Sequence, residues 1–271
     1  MSAAPVASLA MYDLPQLRPA IDRLWQAIRD RMRADGIAQV PDALAHDRPL
    51  ETIWRDPALV LAQTCGLPFM TTLRETVRLV ATPCYDLPGC DGADYCSLII
   101  VRSDHPAQRI ADLRGGIAAI NGWNSQSGMS ALRAVVAPVA GGPSFFRRVL
   151  VTGAHRDSLR AVRTGAADIA AIDCVTHGLL ADHAPGECAG TRVLCRSPTT
   201  PGLPLVTAAA TQDEVVQRMI AALEAVMDDP SLASVRAILH IKGIARLTAA
   251  DYAPIRTMGE AAAARGYPAL G

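Results

Sequence analysis

The segment Asn121-Gly122-Trp123-Asn124-Ser125-Gln126-Ser127-Gly128 holds the densest chemistry in the chain. It lies where an apolar run, Ile117 to Ile120, gives way to a helical pattern from about Met129 to Val136. The first amides of a helix have no internal partner, and the helix dipole places partial positive charge there. Ser125 and Ser127, flanking Gln126 and following Asn124, would join those amides to suit a tetrahedral oxyanion, with Gly128 letting the anion approach the backbone. The plainer alternative is a helix cap. A cap, however, does not require two serines, a glycine and two asparagines.

His155 follows Thr152-Gly153-Ala154 at a second strand-to-helix turn. Its ring could donate to the same anion, or it could be a surface or capping residue. Asp173 closes the apolar run Ile169-Ala170-Ala171-Ile172. It reads as the cap of the next helix, or as an acceptor for a ligand amine or a proton-bearing oxygen. Tyr12 and the pair Thr64 and Cys65 stand just past two further apolar runs. Cys65 has no histidine beside it in sequence, which favours an inert thiol over a nucleophile.

The elements that must position these residues alternate between strand and helix. Apolar runs at Val6 to Met11, Leu59 to Ala62, Val77 to Val80, Cys96 to Val101, Ile117 to Ile120, Val149 to Val151, Ile169 to Ile172, Arg192 to Cys195 and Leu205 to Ala208 read as strands. Leu17, Ile21, Leu24, Ile28 and Met32 mark an amphipathic helix, with Asp13 as its expected cap. The Pro83 to Tyr95 stretch reads as loop, and helices are expected over Glu214 to Met227, Ser231 to His240 and Ala249 to Ala264. Such alternation implies parallel-rich sheets flanked by helices, which gather ligands beyond the carboxyl ends of their strands. All ten candidate residues fall at such ends.

Composition removes several other functions. The 271 residues carry 26 basic and 26 acidic side chains, so nothing draws the whole chain to nucleic acid or an anionic membrane. Lys242 is the sole lysine, and no Gly-rich phosphate loop ending in lysine occurs. No G-x-G, H-E-x-x-H, G-x-S-x-G or C-x-x-C motif exists, so no cofactor and no metal is expected. No apolar segment approaches the ~20 residues that span a bilayer. The sequence as written opens without a basic leader. It is therefore expected in the cytoplasm with its seven cysteines reduced, or in the periplasm if the true start lies upstream.

Several of these segments occur together elsewhere. Ile110-Ala111-Asp112-Leu113-Arg114-Gly115, the Ser125-Gln126-Ser127-Gly128 turn, Thr152-Gly153-Ala154-His155 before Ser158-Leu159, Gly165 to Asp173, and the closing Gly266-Tyr267-Pro268 follow one another in a known order. In that order and spacing the chain resembles phosphate-, phosphite- and phosphonate-type substrate-binding proteins of ABC transporters. The resemblance implies a type II periplasmic-binding-protein fold, two α/β lobes of mixed sheets joined by two crossing strands, with ligand in the interlobe cleft. The lobes are expected at residues 1–97 plus 205–271 and at 98–204. By the same resemblance Ser125, Gln126 and Ser127 match the anion loop, and His155 the histidine on a phosphonate oxygen. Asp173 matches the acidic residue at the ligand's other end, and Tyr12 an aromatic of the first loop. Gln126 departs from the usual hydroxyl. The implied partners are a small anion (phosphonate, phosphite or phosphate) and an ABC permease. The alternatives on the same fold are an enzyme like the thiamine-pyrimidine synthases, with Cys65 or His155 reactive, and a cytoplasmic ligand sensor.

Overall fold

The apolar runs pair into two five-stranded sheets, each inside its own compact unit of the computed structural model, which describes residues 4–271. The first unit comprises residues up to Asp86, Asp91–Ala93 and Gly202–Asp251. Its strands run in the order Val6–Ser8, Leu59–Gln63, Leu205–Ala208, Val77–Tyr85, Ile241–Ala245. Val6–Ser8 and Leu59–Gln63 pair in parallel and the remaining neighbours are antiparallel. Helix Arg18–Ala34 buries Ile21, Leu24, Trp25, Ile28 and Met32, the stripe spaced at three and four residues. Asp13 does not cap it. The helix begins without a side-chain cap, and Asp13 instead accepts from Arg18 at 3.1 Å and pairs with His46 at 2.9 Å.

The second unit comprises Leu87–Cys90, Asp94–Pro201 and Tyr252–Gly271. Its strands run Thr191–Arg196, Ser97–Arg102, Ile169–Asp173, Ile117–Ile120, Arg148–Val151. The last three are parallel, and Ser97–Arg102 lies antiparallel to both of its neighbours. Ile169–Asp173 is buried at every position, as a central strand covered on both faces must be. Around this sheet Ile99, Val101, Ile120, Leu132, Val136, Phe145 and Tyr267 form one apolar core. The fold class is therefore mixed α/β, with helix-flanked sheets in two units.

Two further expectations need correction. The units divide the chain differently from the expected boundaries, since the segment from Tyr252 onward belongs to the second unit. Ala262, Tyr267 and Leu270 join that unit's core, and the Gly271 carbonyl accepts from the Phe145 amide at 2.6 Å. An apolar helical stripe specifies burial but not which sheet it will cover. Strand Val77–Tyr85 continues through Pro83, where loop composition suggested a stop. Pro83 lacks an N–H, yet its neighbours keep the pairing with Ile241–Ala245, a short glycine-containing strand without a clear alternation of its own. Among the described residues, no helix is long and apolar enough to cross a membrane.

Candidate functional site

In the second unit the oxyanion candidates gather at the carboxyl ends of adjacent parallel strands, Ile117–Ile120, Arg148–Val151 and Ile169–Asp173. Two main-chain bonds knit the first two turns together. The Thr152 amide donates to the Ile120 carbonyl at 2.9 Å, and the Gly153 amide to the Asn121 carbonyl at 3.1 Å. The turn that presents His155 is thus fixed against the turn that presents Ser125 to Gly128. Ser127 Oγ lies 2.7 Å from His155 Nε2, so residues distant in sequence meet at one point.

The helix starts earlier than its pattern suggests. Gln126–Ser130 forms a single π-helical turn, closed by the Ser130 amide on the Ser125 carbonyl at 3.0 Å, before the α-helix Ala131–Ala140. Wide turns of this kind occur often at functional sites. Ser125 is the N-cap, its Oγ accepting from the Gly128 amide at 2.9 Å. The capping alternative is therefore met for Ser125, whose hydroxyl keeps its own proton to donate. Ser127 occupies the second helical position, among the amides for which a helix supplies no internal acceptor.

Gly128 has a packing role that its sequence position did not reveal. A Cβ there would lie 1.8 Å from Asn121 Oδ1, so the glycine makes room for that side chain. Asn124 is exposed and folds its amide back over Gly122. Gln126 is buried and its side-chain nitrogen donates to Met258 Sδ at 3.4 Å, which makes it a packing residue of its own unit.

Burial pushes the His155 imidazole down to about 4, against a weaker opposing effect of the Ala171 carbonyl. Its Nδ1 is buried without a partner in hydrogen-bond geometry among the described residues. The ring is therefore neutral at pH 7. Arg156, the next residue, is paired with Glu187 at 2.7 Å, so its charge is already balanced. Asp173 is buried and caps helix Cys174–His183, Oδ1 accepting from the amides of Val175 at 2.7 Å and Thr176 at 3.1 Å.

Sequence reasoning missed Ser97. Its Oγ donates to the Ser127 carbonyl at 2.8 Å, and its backbone pairs in register with Asp173. One serine heading an otherwise apolar strand, Ser97-Leu98-Ile99-Ile100-Val101, was the available signal. In the first unit Tyr12 packs edge-on to Tyr85 at 5.3 Å between ring centroids. Thr64 is fully buried and its Oγ1 has no hydrogen-bond partner among the described residues. Cys65 is buried at the start of helix Gly66–Met70. Among the described residues, no group of three His, Cys, Asp or Glu side chains is placed to hold a metal.

Two helix-flanked mixed sheets, with polar donors at the strand ends of the second, are an architecture shared with solved binding proteins. The chain aligns over 97% of its length with a phosphonate ABC transporter binding component from Pseudomonas aeruginosa, PA3383 (18% identity, 88% of that chain, TM-score 0.77). It aligns over 95% with PhnD1 of Prochlorococcus marinus, solved with methylphosphonate (12% identity, 97% of that chain, TM-score 0.74). It also aligns over 97% with XAC2383 of Xanthomonas citri, bound to chloride (17% identity, 99% of that chain, TM-score 0.73). A search of curated proteins by sequence finds no match. Residues 61–252 match the family described as ABC transporter, phosphonate, periplasmic substrate-binding protein. The chain belongs to that family of substrate-binding proteins.

Proposed function

We propose that this protein captures a small phosphonate, phosphite or phosphate on the Ser125–Gly128 turn and His155, delivers it to an ABC permease, and performs no chemistry on it. The observation that carries this reading is the contact of Ser127 Oγ with His155 Nε2 at 2.7 Å, beside first-turn amides of a helix. When the site is empty the two groups satisfy each other. An arriving oxyanion takes a hydrogen bond from each, from the Ser125 hydroxyl and from the Ser127 amide. Neutral donors hold an anion without the cost of burying several unpaired cations.

A serine hydrogen-bonded to a histidine is also the arrangement of a nucleophile and its base. Two features speak against that use. An imidazole held near 4 is a weak base at neutral pH, far from the matched value that general-base catalysis needs. The Asp173 carboxylate commits Oδ1 to the first amides of the next helix.

Titration calorimetry with methylphosphonate, phosphite and phosphate tests the proposal. Loss of one charge-assisted donor is worth about 1.5–3 kcal/mol, or roughly 10- to 150-fold in affinity. Ser127→Ala and His155→Ala are each expected to weaken the best of these anions by that factor. Unchanged affinity in both folded variants would place the ligand elsewhere.

A further inference from the structure

Three thiols of the second unit converge beside the candidate site without taking part in it. Cys90 Sγ lies 3.5 Å from Cys174 Sγ, and Cys96 is a second thiol hydrogen-bond neighbour of Cys174. Their main chains are tied together. The Cys96 amide donates to the Gly89 carbonyl at 3.1 Å, and the Cys174 amide to the Cys96 carbonyl at 3.1 Å. Gly89 has φ +109°, and a Cβ there would meet Cys96 Sγ at 2.9 Å and Cys174 Cβ at 3.0 Å, so only glycine lets the loop lie this close. The Cys174 and Cys96 side chains are buried, whereas Cys90 is half-buried and open to reagents.

From this arrangement we infer that Cys90 and Cys174 form a redox-active dithiol, which a low-molecular-weight disulfide converts to an intramolecular disulfide. The accessible Cys90 thiolate attacks the oxidant's S–S bond, giving a mixed disulfide and expelling one thiolate. The Cys174 sulfur, after losing its proton, attacks the Cys90 sulfur and expels the second thiolate. The protein loses two electrons and two protons, and the oxidant leaves as two thiols. Closing the bond brings the sulfurs from 3.5 Å to about 2.05 Å, a movement that side-chain rotation and the 87–90 loop can supply. The hydrogen bond with Cys90, together with burial, holds Cys174 well above the ordinary thiol range, and the hydrogen bond with Cys174, together with burial, does the same for Cys96. Closure is therefore slow at pH 7 and faster at pH 8.5. The bond fastens the loop to the first residue of the helix that Asp173 caps.

The test uses the full-length protein and oxidised glutathione, with thiols counted after denaturation and the bridge located by non-reducing peptide mapping. The count is expected to fall from seven to five, with one linked peptide pair joining Cys90 to Cys174. Cys90→Ser should keep all its remaining thiols free of any internal bridge, while Cys96→Ser should still close it. A wild-type count that stays at seven, a glutathione adduct on Cys90 without closure, or a bridge that omits either residue overturns the inference. Methylphosphonate affinity is measured on the reduced protein, so failure here and failure of the proposed ligand site remain separate results.

Discussion

His155 should make the protein sensitive to mild acid. In the unfolded chain its ring takes up a proton near pH 6.5, whereas in the folded protein burial delays that to about pH 4. Above pH 6.5 the ring is neutral in both states and contributes no pH dependence. As pH falls from 6.5 to 4 the unfolded state binds more protons, so stability is lost across that window. The separation of roughly 2.5 units at about 1.36 kcal/mol each gives about 3 kcal/mol, a large part of a typical folding free energy. His155→Gln keeps an amide that can reach Ser127 but does not titrate. Urea unfolding of both proteins at pH 7, 5.5 and 4 isolates the effect, because His46, His177 and every carboxylate are common to the two. The wild type is expected to lose about 3 kcal/mol relative to the variant between pH 6.5 and 4. Parallel stability curves would show that the imidazole titrates alike in both states, and the reasoning from burial would be refuted.

Gly128→Ala forces a methyl group onto Asn121 Oδ1 and should cost about 1–3 kcal/mol of stability, recovered when Asn121→Gly is added; thermal melts that show no recovery would locate the strain elsewhere. Trp123 is 54% exposed beside the anion turn, while Trp25 and Trp54 are buried in the first unit. Ligand-dependent fluorescence is therefore expected from Trp123 and should vanish in Trp123→Phe; a signal that persists would contradict this. Asp173→Asn keeps the helix cap and removes the charge, so unfolding midpoints should barely change. The same variant should weaken aminoethylphosphonate at least tenfold while sparing methylphosphonate, and calorimetry that finds both unchanged would leave Asp173 as a cap alone.

Much of the candidate site was legible in residue order because a strand-to-helix junction leaves free amides, whatever the rest of the fold does. Ser125, Ser127, His155 and Asp173 could be picked out as polar residues at the ends of apolar runs. The amphipathic stripe of Arg18–Ala34 and the fully apolar Ile169–Asp173 likewise carried their burial in their spacing. The tertiary structure alone decided which turns share a point in space, because that depends on the strand order, with Ile117–Ile120 set between Ile169–Asp173 and Arg148–Val151. It made Gly128 a seat for Asn121, brought Ser97 beneath Ser127, and set Cys90 against Cys174, contacts across sequence gaps that no local pattern encodes. It also sent the C-terminal helix to the second unit, since an apolar face is non-directional and joins whichever core has room for Ala262, Tyr267 and Leu270.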